Sequence, residues 1–118
     1  MTDWWWIRHG PTHAKGMVGW VDIKADLSDK TTLNKLDEYL PDDANVISSD
    51  LSRAIETASA IQKNRKRLTN AFSLREFNFG DWDGKDWKDI SNTHPELSRA
   101  YWSNPGDIAP PNGESWNQ

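Results

Sequence analysis

The sequence predicts an α/β fold with a largely parallel sheet. Short apolar runs alternate with amphipathic stretches of helical period, and a polar motif follows each of the first runs directly. The order strand, helix, strand, helix, strand is typical of parallel sheets, because the helices serve as crossover connections. A length of 118 residues corresponds to one domain, so residues 1–118 are predicted to form a single domain.

The first two elements are a buried strand and a helix. Residues 4–7 (Trp-Trp-Trp-Ile) form an apolar run that suits a strand buried on both faces. Residues 29–40 carry apolar side chains at helical spacing, with Ser28 as N-cap and Pro41 as the stop signal.

A second strand is predicted at residues 45–49 and the clearest helix at 50–66. The apolar stripe of that helix is Leu51, Ala54, Ile55, Ala58 and Ile61. Basic residues gather at its end, where the helix dipole favours cations. A third short strand is predicted around residues 71–74.

The remaining third of the chain is predicted to contain loops and short helices and no further strand. Residues 77–84 are predicted to be loop, 87–101 two short helices separated near His94 and Pro95, and 104–113 a loop rich in proline and glycine. Residues 114–116 resemble the opening of a further helix, so the fold is expected to be unfinished at Gln118.

Composition excludes several classes of protein. The net charge is −4, which argues against nucleic acid or a membrane surface as partner. Cysteine is absent, no apolar run could span a bilayer and no secretory signal is present, so a cytoplasmic protein is expected. Most of the eight tryptophans are expected to be structural. Four of them are predicted in the core, with an entrance for substrate as the alternative: Trp20, Trp82, Trp87 and Trp102.

Residues 8–12 (Arg-His-Gly-Pro-Thr) have a composition that suits phosphate. They follow the first strand, at the sheet edge where α/β proteins bind ligands. Arg8 offers a planar fork of donors, Gly10 lets the backbone approach an anion, and Thr12 adds a hydroxyl. His9 is then a candidate nucleophile toward phosphorus, provided that one ring nitrogen is held by a hydrogen bond. A buried structural histidine is the alternative.

Candidate functional residues also follow the second and third predicted strands. Residues 48–58 place Arg53 in the first turn of a helix, and the helix N-terminus and Arg53 are predicted to converge on one anion. The alternative is a well-capped helix with a solvated arginine. In the third motif, Glu76 among aromatic residues is the candidate general acid, and Asp81 and Asp83 are competing choices that more often belong to turns.

Together these motifs resemble the signatures of the histidine phosphatase superfamily, also called phosphoglycerate mutase-like. The matching segments are residues 8–12, 49–58, 74–76 with 79–84, and 111–115 (Pro-Asn-Gly-Glu-Ser). The resemblance implies a three-layer fold, with helices on both faces of a mostly parallel sheet. It implies that His9 becomes phosphorylated, that Arg8 and Arg53 clamp the phosphoryl oxygens, and that Glu76 protonates the leaving group. The implied partner is a small phosphorylated substrate or inorganic phosphate, with no metal or organic cofactor; a homodimer is also allowed.

Within the superfamily the chain is similar to compact bacterial phosphatases of the α-ribazole phosphatase-like branch. Residues 19–22 (Gly-Trp-Val-Asp) also resemble a loop of the mutases, so a cofactor-dependent phosphoglycerate mutase is the alternative enzyme. Members have a second catalytic histidine, in a His-Gly pair after a later strand, and neither His13 nor His94 fits that place. The sequence is therefore expected to be the N-terminal portion of such a domain, without its C-terminal strands. A truncated, inactive remnant that binds phosphate or protein is the remaining alternative.

Overall fold

A computed structural model describes residues 1–118 and divides them into two compact units. The first unit contains Met1–His13 and Asp22–Arg75, and the second contains Ala14–Val21 and Glu76–Gln118. None of the helices has both the length and the apolar character that a membrane crossing requires.

The first unit contains a parallel strand pair and two helices. Helix α1 spans Lys30–Tyr39, strand β1 Asn45–Val46, helix α2 Ser52–Gln62 and strand β2 Lys66–Arg67. Asn45 pairs with Lys66 and Val46 with Arg67, in parallel register. The backbone N–H groups of Leu68 and Ala71 then donate to the carbonyls of Val46 and Ser48, which continues the pairing beyond β2. This helix and parallel-sheet arrangement confirms the predicted α/β class.

Two of the predicted strands differ from the observed structure. The partner of β1 is the segment from residue 66 onward, whereas Phe72–Leu74 form a 3₁₀ turn. Residues 4–7 form no strand, and Trp4 and Trp6 are 70% and 81% exposed. An apolar run becomes a strand only where another strand satisfies its backbone, which periodicity alone does not reveal.

The two helices of the first unit follow their sequence signals closely. Asp29, and not Ser28, caps α1 by accepting a hydrogen bond from the Thr32 N–H. The apolar stripe of α2 packs inward, with Leu51, Ala58 and Ile61 buried. Arg53 and Thr57 are also buried on this helix, so its inner face is partly polar.

The second unit contains helices α3, Trp87–Thr93, and α4, Pro95–Ser103, after a 3₁₀ turn at Gly80–Trp82. The predicted break at His94 and Pro95 is confirmed, since α4 begins at Pro95. Proline suits the first turn of a helix and cannot continue a preceding helix. Trp82 and Ile90 form the buried core of this unit. The core prediction is therefore correct for Trp82 and wrong for Trp87 and Trp102, which are exposed. Residues 114–116 form no helix.

Candidate functional site

His9 is held by its own backbone neighbour in the first unit. Its Nδ1 lies 2.7 Å from the Gly10 carbonyl oxygen. A carbonyl oxygen only accepts hydrogen bonds, so Nδ1 carries the proton and the neutral ring has its lone pair on Nε2. This is the arrangement that a nucleophilic histidine requires.

Thr57 joins the segment at His9 and Gly10 to helix α2. The Gly10 N–H donates to Thr57 Oγ1 at 2.9 Å, and the Thr57 hydroxyl donates to the Arg53 carbonyl at 2.7 Å. The first motif and the helix that carries Arg53 are thus connected through one buried hydroxyl. Sequence reasoning missed Thr57, although it lies within the second motif and one helical turn after Arg53.

Gly10 also packs tightly against the loop at residues 25–27. A Cβ there would lie 2.8 Å from Leu27 Cδ2 and 3.0 Å from the Asp26 carbonyl oxygen. Asp26 in turn donates its N–H to the Pro11 carbonyl at 2.7 Å. The segment that carries His9 is therefore held from two sides, while Arg8 is exposed and Thr12 half-buried.

Arg53 is only 2% exposed, which excludes a solvated surface arginine. A buried guanidinium requires anionic or polar partners. The positive charge of Arg53 acts on the Asp22 carboxyl, whose pKa it helps to lower.

The N-terminus of α2 already holds an anion of this chain. The Ser52 N–H and hydroxyl donate to the Asp22 carboxylate at 2.7 and 2.8 Å. These two hydrogen bonds, with the positive charges of Arg53 and Arg75, lower the pKa of the Asp22 carboxyl. The Ser52 donors are thus occupied by Asp22, and the convergence of this helix terminus and Arg53 on one anion stays a prediction.

The second and third motifs meet through an ion pair. Arg75 Nε and Nη2 donate to the two oxygens of Asp50 at 2.6 and 2.8 Å, and the guanidinium lies 4.4 Å from the centre of the Phe72 ring. The hydrogen bonds from Arg75 lower the pKa of Asp50. This bidentate pair fixes the chain directly before Glu76.

Glu76 opens the second unit and is exposed. Its Oε1 accepts the Phe77 N–H at 3.0 Å. The competing carboxylates have structural partners: Asp81 accepts from the Asn112 amide, and Asp83 accepts from the backbone N–H groups of residues 19–21. Glu76 is thus the most available carboxylate of this motif, and its action together with His9 stays a prediction.

The other two histidines have surroundings of a different kind. His13 Nε2 lies 2.8 Å from Asp26 Oδ2 on an exposed surface. His94 lies between α3 and α4, with its ring 6.1 Å from that of Trp82. Neither ring is held by a backbone carbonyl as the His9 ring is.

Comparison with known proteins identifies the family. The model of the histidine phosphatase superfamily (branch 1) matches residues 4–118, and the chain therefore belongs to this superfamily. Phosphoglycerate mutase-like protein 4 of Arabidopsis thaliana is 30% identical in an alignment that covers 91% of this chain and 50% of that protein. Adenosylcobalamin/alpha-ribazole phosphatase of Salmonella typhimurium is 28% identical in an alignment that covers 95% of this chain and 58% of that protein.

Solved structures agree with this assignment. The structure of YhfR from Bacillus stearothermophilus matches with a TM-score of 0.79 and 29% identity, over 92% of this chain and 56% of that one. The phosphoglycerate mutase-like fold and the predicted superfamily are thereby confirmed. The chain spans about half the length of the curated relatives it matches.

Proposed function

We propose that the natural protein containing this chain is a cytoplasmic, metal-independent phosphomonoesterase that hydrolyses a small phosphorylated metabolite through a phosphohistidine on His9. Membership of the superfamily supports phosphoryl transfer in general. The relative from Salmonella typhimurium is by name a phosphatase, which favours hydrolysis.

The observation that carries the proposal is the hydrogen bond from His9 Nδ1 to the Gly10 carbonyl. It leaves the Nε2 lone pair as the only nucleophilic position on the ring. Thr57 holds the same segment through the Gly10 N–H, so the ring is attached to a backbone with little freedom.

In the first step His9 Nε2 attacks phosphorus in line with the ester oxygen. The N–P bond forms as the P–O bond to the alcohol breaks, and Glu76 supplies the proton that the departing oxygen takes up. Arg8, Arg53 and Thr12 are assigned to the phosphoryl oxygens, where positive charge and an O–H donor stabilise the transition state. Gly10, whose N–H is held by Thr57, is assigned to the close approach of the backbone to the phosphoryl group.

In the second step water attacks the phosphohistidine. Glu76, now ionised, accepts a proton from the water, the N–P bond breaks, and inorganic phosphate leaves with His9 restored. The proton that Glu76 gave in the first step is thereby returned, and no cofactor takes part.

His9→Ala is the direct test, with p-nitrophenyl phosphate as substrate for the natural protein. We expect turnover to fall by at least about a thousandfold, because the covalent route is lost. Rapid quenching of the wild type with phosphorus-labelled substrate should trap an acid-labile phosphoenzyme that His9→Ala lacks. His13→Ala, on the exposed surface, serves as the matched control and should keep most of the activity. Wild-type turnover by His9→Ala would overturn the proposal.

The mutase alternative is supported by residues 19–22 and by the name of the Arabidopsis thaliana relative. Interconversion of 3- and 2-phosphoglycerate that depends on a bisphosphate primer would establish it. Phosphate-competitive binding without any turnover would instead support a non-catalytic remnant.

A further inference from the structure

We propose that Trp20 and Asp83 are positioning residues for Glu76, and that the loop at residues 19–21 sets the efficiency of leaving-group protonation. This inference rests on the proposed function, in which Glu76 is the general acid. All the residues involved belong to the second unit.

Trp20 acts on the backbone of Glu76. Its indole Nε1–H donates to the Glu76 carbonyl oxygen at 3.0 Å, across 56 residues of sequence. The Glu76 carboxylate accepts the next N–H along the chain, that of Phe77. The main chain of Glu76 is therefore fixed by the indole, and the side chain is oriented by a donor attached to that same main chain.

Asp83 holds the loop that carries Trp20. Its carboxylate accepts from the Gly19 N–H at 3.0 Å, the Trp20 N–H at 2.6 Å and the Val21 N–H at 3.3 Å. Three successive backbone donors on one carboxylate leave the loop little freedom, and each bond is strengthened by the charge of the acceptor. The indole therefore reaches Glu76 from a rigid base.

Gly19 allows the loop to lie directly on the chain after Glu76. A Cβ at this position would overlap the Phe77 carbonyl oxygen and approach Phe79 Cδ2 to 2.7 Å. Gly19 is also buried. This close backbone packing accounts for the association of Gly19 and Trp20 with Asp83, which lies 64 residues after Gly19. It requires no role of the loop in mutase chemistry.

The consequence for catalysis depends on the leaving group. An alkyl phosphate releases a strongly basic alkoxide that must be protonated, whereas p-nitrophenyl phosphate releases a phenolate that is stable in water. Misplacing an acid by about 1 Å can cost a hundredfold in rate, so loss of positioning should affect the alkyl ester selectively.

The experiment measures kcat/KM of the natural protein on glycerol 3-phosphate and p-nitrophenyl phosphate, for Trp20→Phe and Asp83→Asn. We expect the alkyl ester to lose at least about tenfold and the aryl ester less than about threefold in both variants. Trp4→Phe and Asp107→Asn, at two exposed residues, are matched controls that should stay within about twofold on both substrates. Thermal unfolding establishes that each variant is folded at the assay temperature.

Glu76→Gln distinguishes failure of the positioning role from failure of the proposed function. If Glu76→Gln shows the selective loss and folded Trp20→Phe and Asp83→Asn do not, the positioning role is wrong while the proposed function stands. Equal loss of both esters in the two positioning variants indicates a merely structural role and also overturns it. If Glu76→Gln itself shows no selectivity, or the wild type turns over neither ester, the proposed function fails.

Discussion

At the scale of single residues, several charged side chains of this protein bind main-chain atoms rather than solvent. Arg65 is a buried example, with its residue 4% exposed. Its guanidinium donates to the carbonyls of Asp37, Leu40, Pro41 and Ile61 and to the Asp37 carboxylate, at 2.6–2.9 Å. It thereby satisfies the carbonyl groups at the ends of α1 and α2, which have no partners within their own helices.

Replacing Arg65 should therefore reduce stability strongly. We expect Arg65→Ala to lower the free energy of unfolding by about 3 kcal/mol, because several buried carbonyl groups lose their donors at once. Urea denaturation followed by tryptophan fluorescence measures the change. Arg99→Ala, an exposed arginine on α4, should change the same free energy by less than about 0.5 kcal/mol. Equal effects of the two substitutions would contradict the structural role of Arg65.

At the scale of elements, aspartates stabilise the N-termini of both helices in the first unit. Asp29 caps α1 from the adjacent position, whereas Asp22 reaches the start of α2 across 30 residues of sequence. In both cases hydrogen bonds from backbone and hydroxyl donors lower the pKa of the carboxyl group. The negative charge at each helix start also suits the helix dipole.

The lowered pKa of Asp22 makes the start of α2 sensitive to acid. An aspartate of depressed pKa stabilises the folded state fully above its unfolded value of about 3.9, and the stabilisation is lost as the pH falls through the folded value. Asp22→Asn should therefore be less stable than the wild type at pH 6, and the two urea midpoints should converge toward pH 3. Asp43→Asn, on the exposed segment before β1, should leave the pH dependence unchanged. Parallel curves for wild type and Asp22→Asn would refute the linkage.

At the scale of the whole molecule, the first residues present an unusual apolar surface. Trp4 and Trp6 stack on each other with ring centres 6.1 Å apart, while the rings of Trp5 and Tyr39 form a T-shaped pair. Alternate side chains thus point in opposite directions, as in a strand, yet no backbone pairing is formed. Exposed aromatic surface beside an unpaired extended segment favours self-association.

The 118-residue chain alone should therefore associate in a concentration-dependent way. We expect the double substitution of Trp4 and Trp6 by serine to reduce light scattering and the sedimentation of oligomers severalfold, because both large apolar side chains are removed from the surface. Trp102→Ser, also strongly exposed, provides the comparison. Association that is the same for both variants would contradict a specific role of the first segment.

The sequence by itself determined the features that depend on neighbouring residues. The helical stripe of α2, the stop at Pro41 and the separation of α3 from α4 at His94 and Pro95 all arise within one or two turns of chain. The superfamily was also predictable, because its motifs are contiguous segments with characteristic residues in a fixed order.

Tertiary structure alone decided which distant groups meet. The Asp22 carboxylate on Ser52, the Thr57 hydroxyl between Gly10 and Arg53, and the Asp83 carboxylate beneath residues 19–21 join positions 30, 47 and up to 64 residues apart. The pairing of β1 with the segment from residue 66, and the absence of a strand at 4–7, were missed for the same reason. Hydrogen-bond partners are chosen by packing in three dimensions, and residue type limits that choice without determining it.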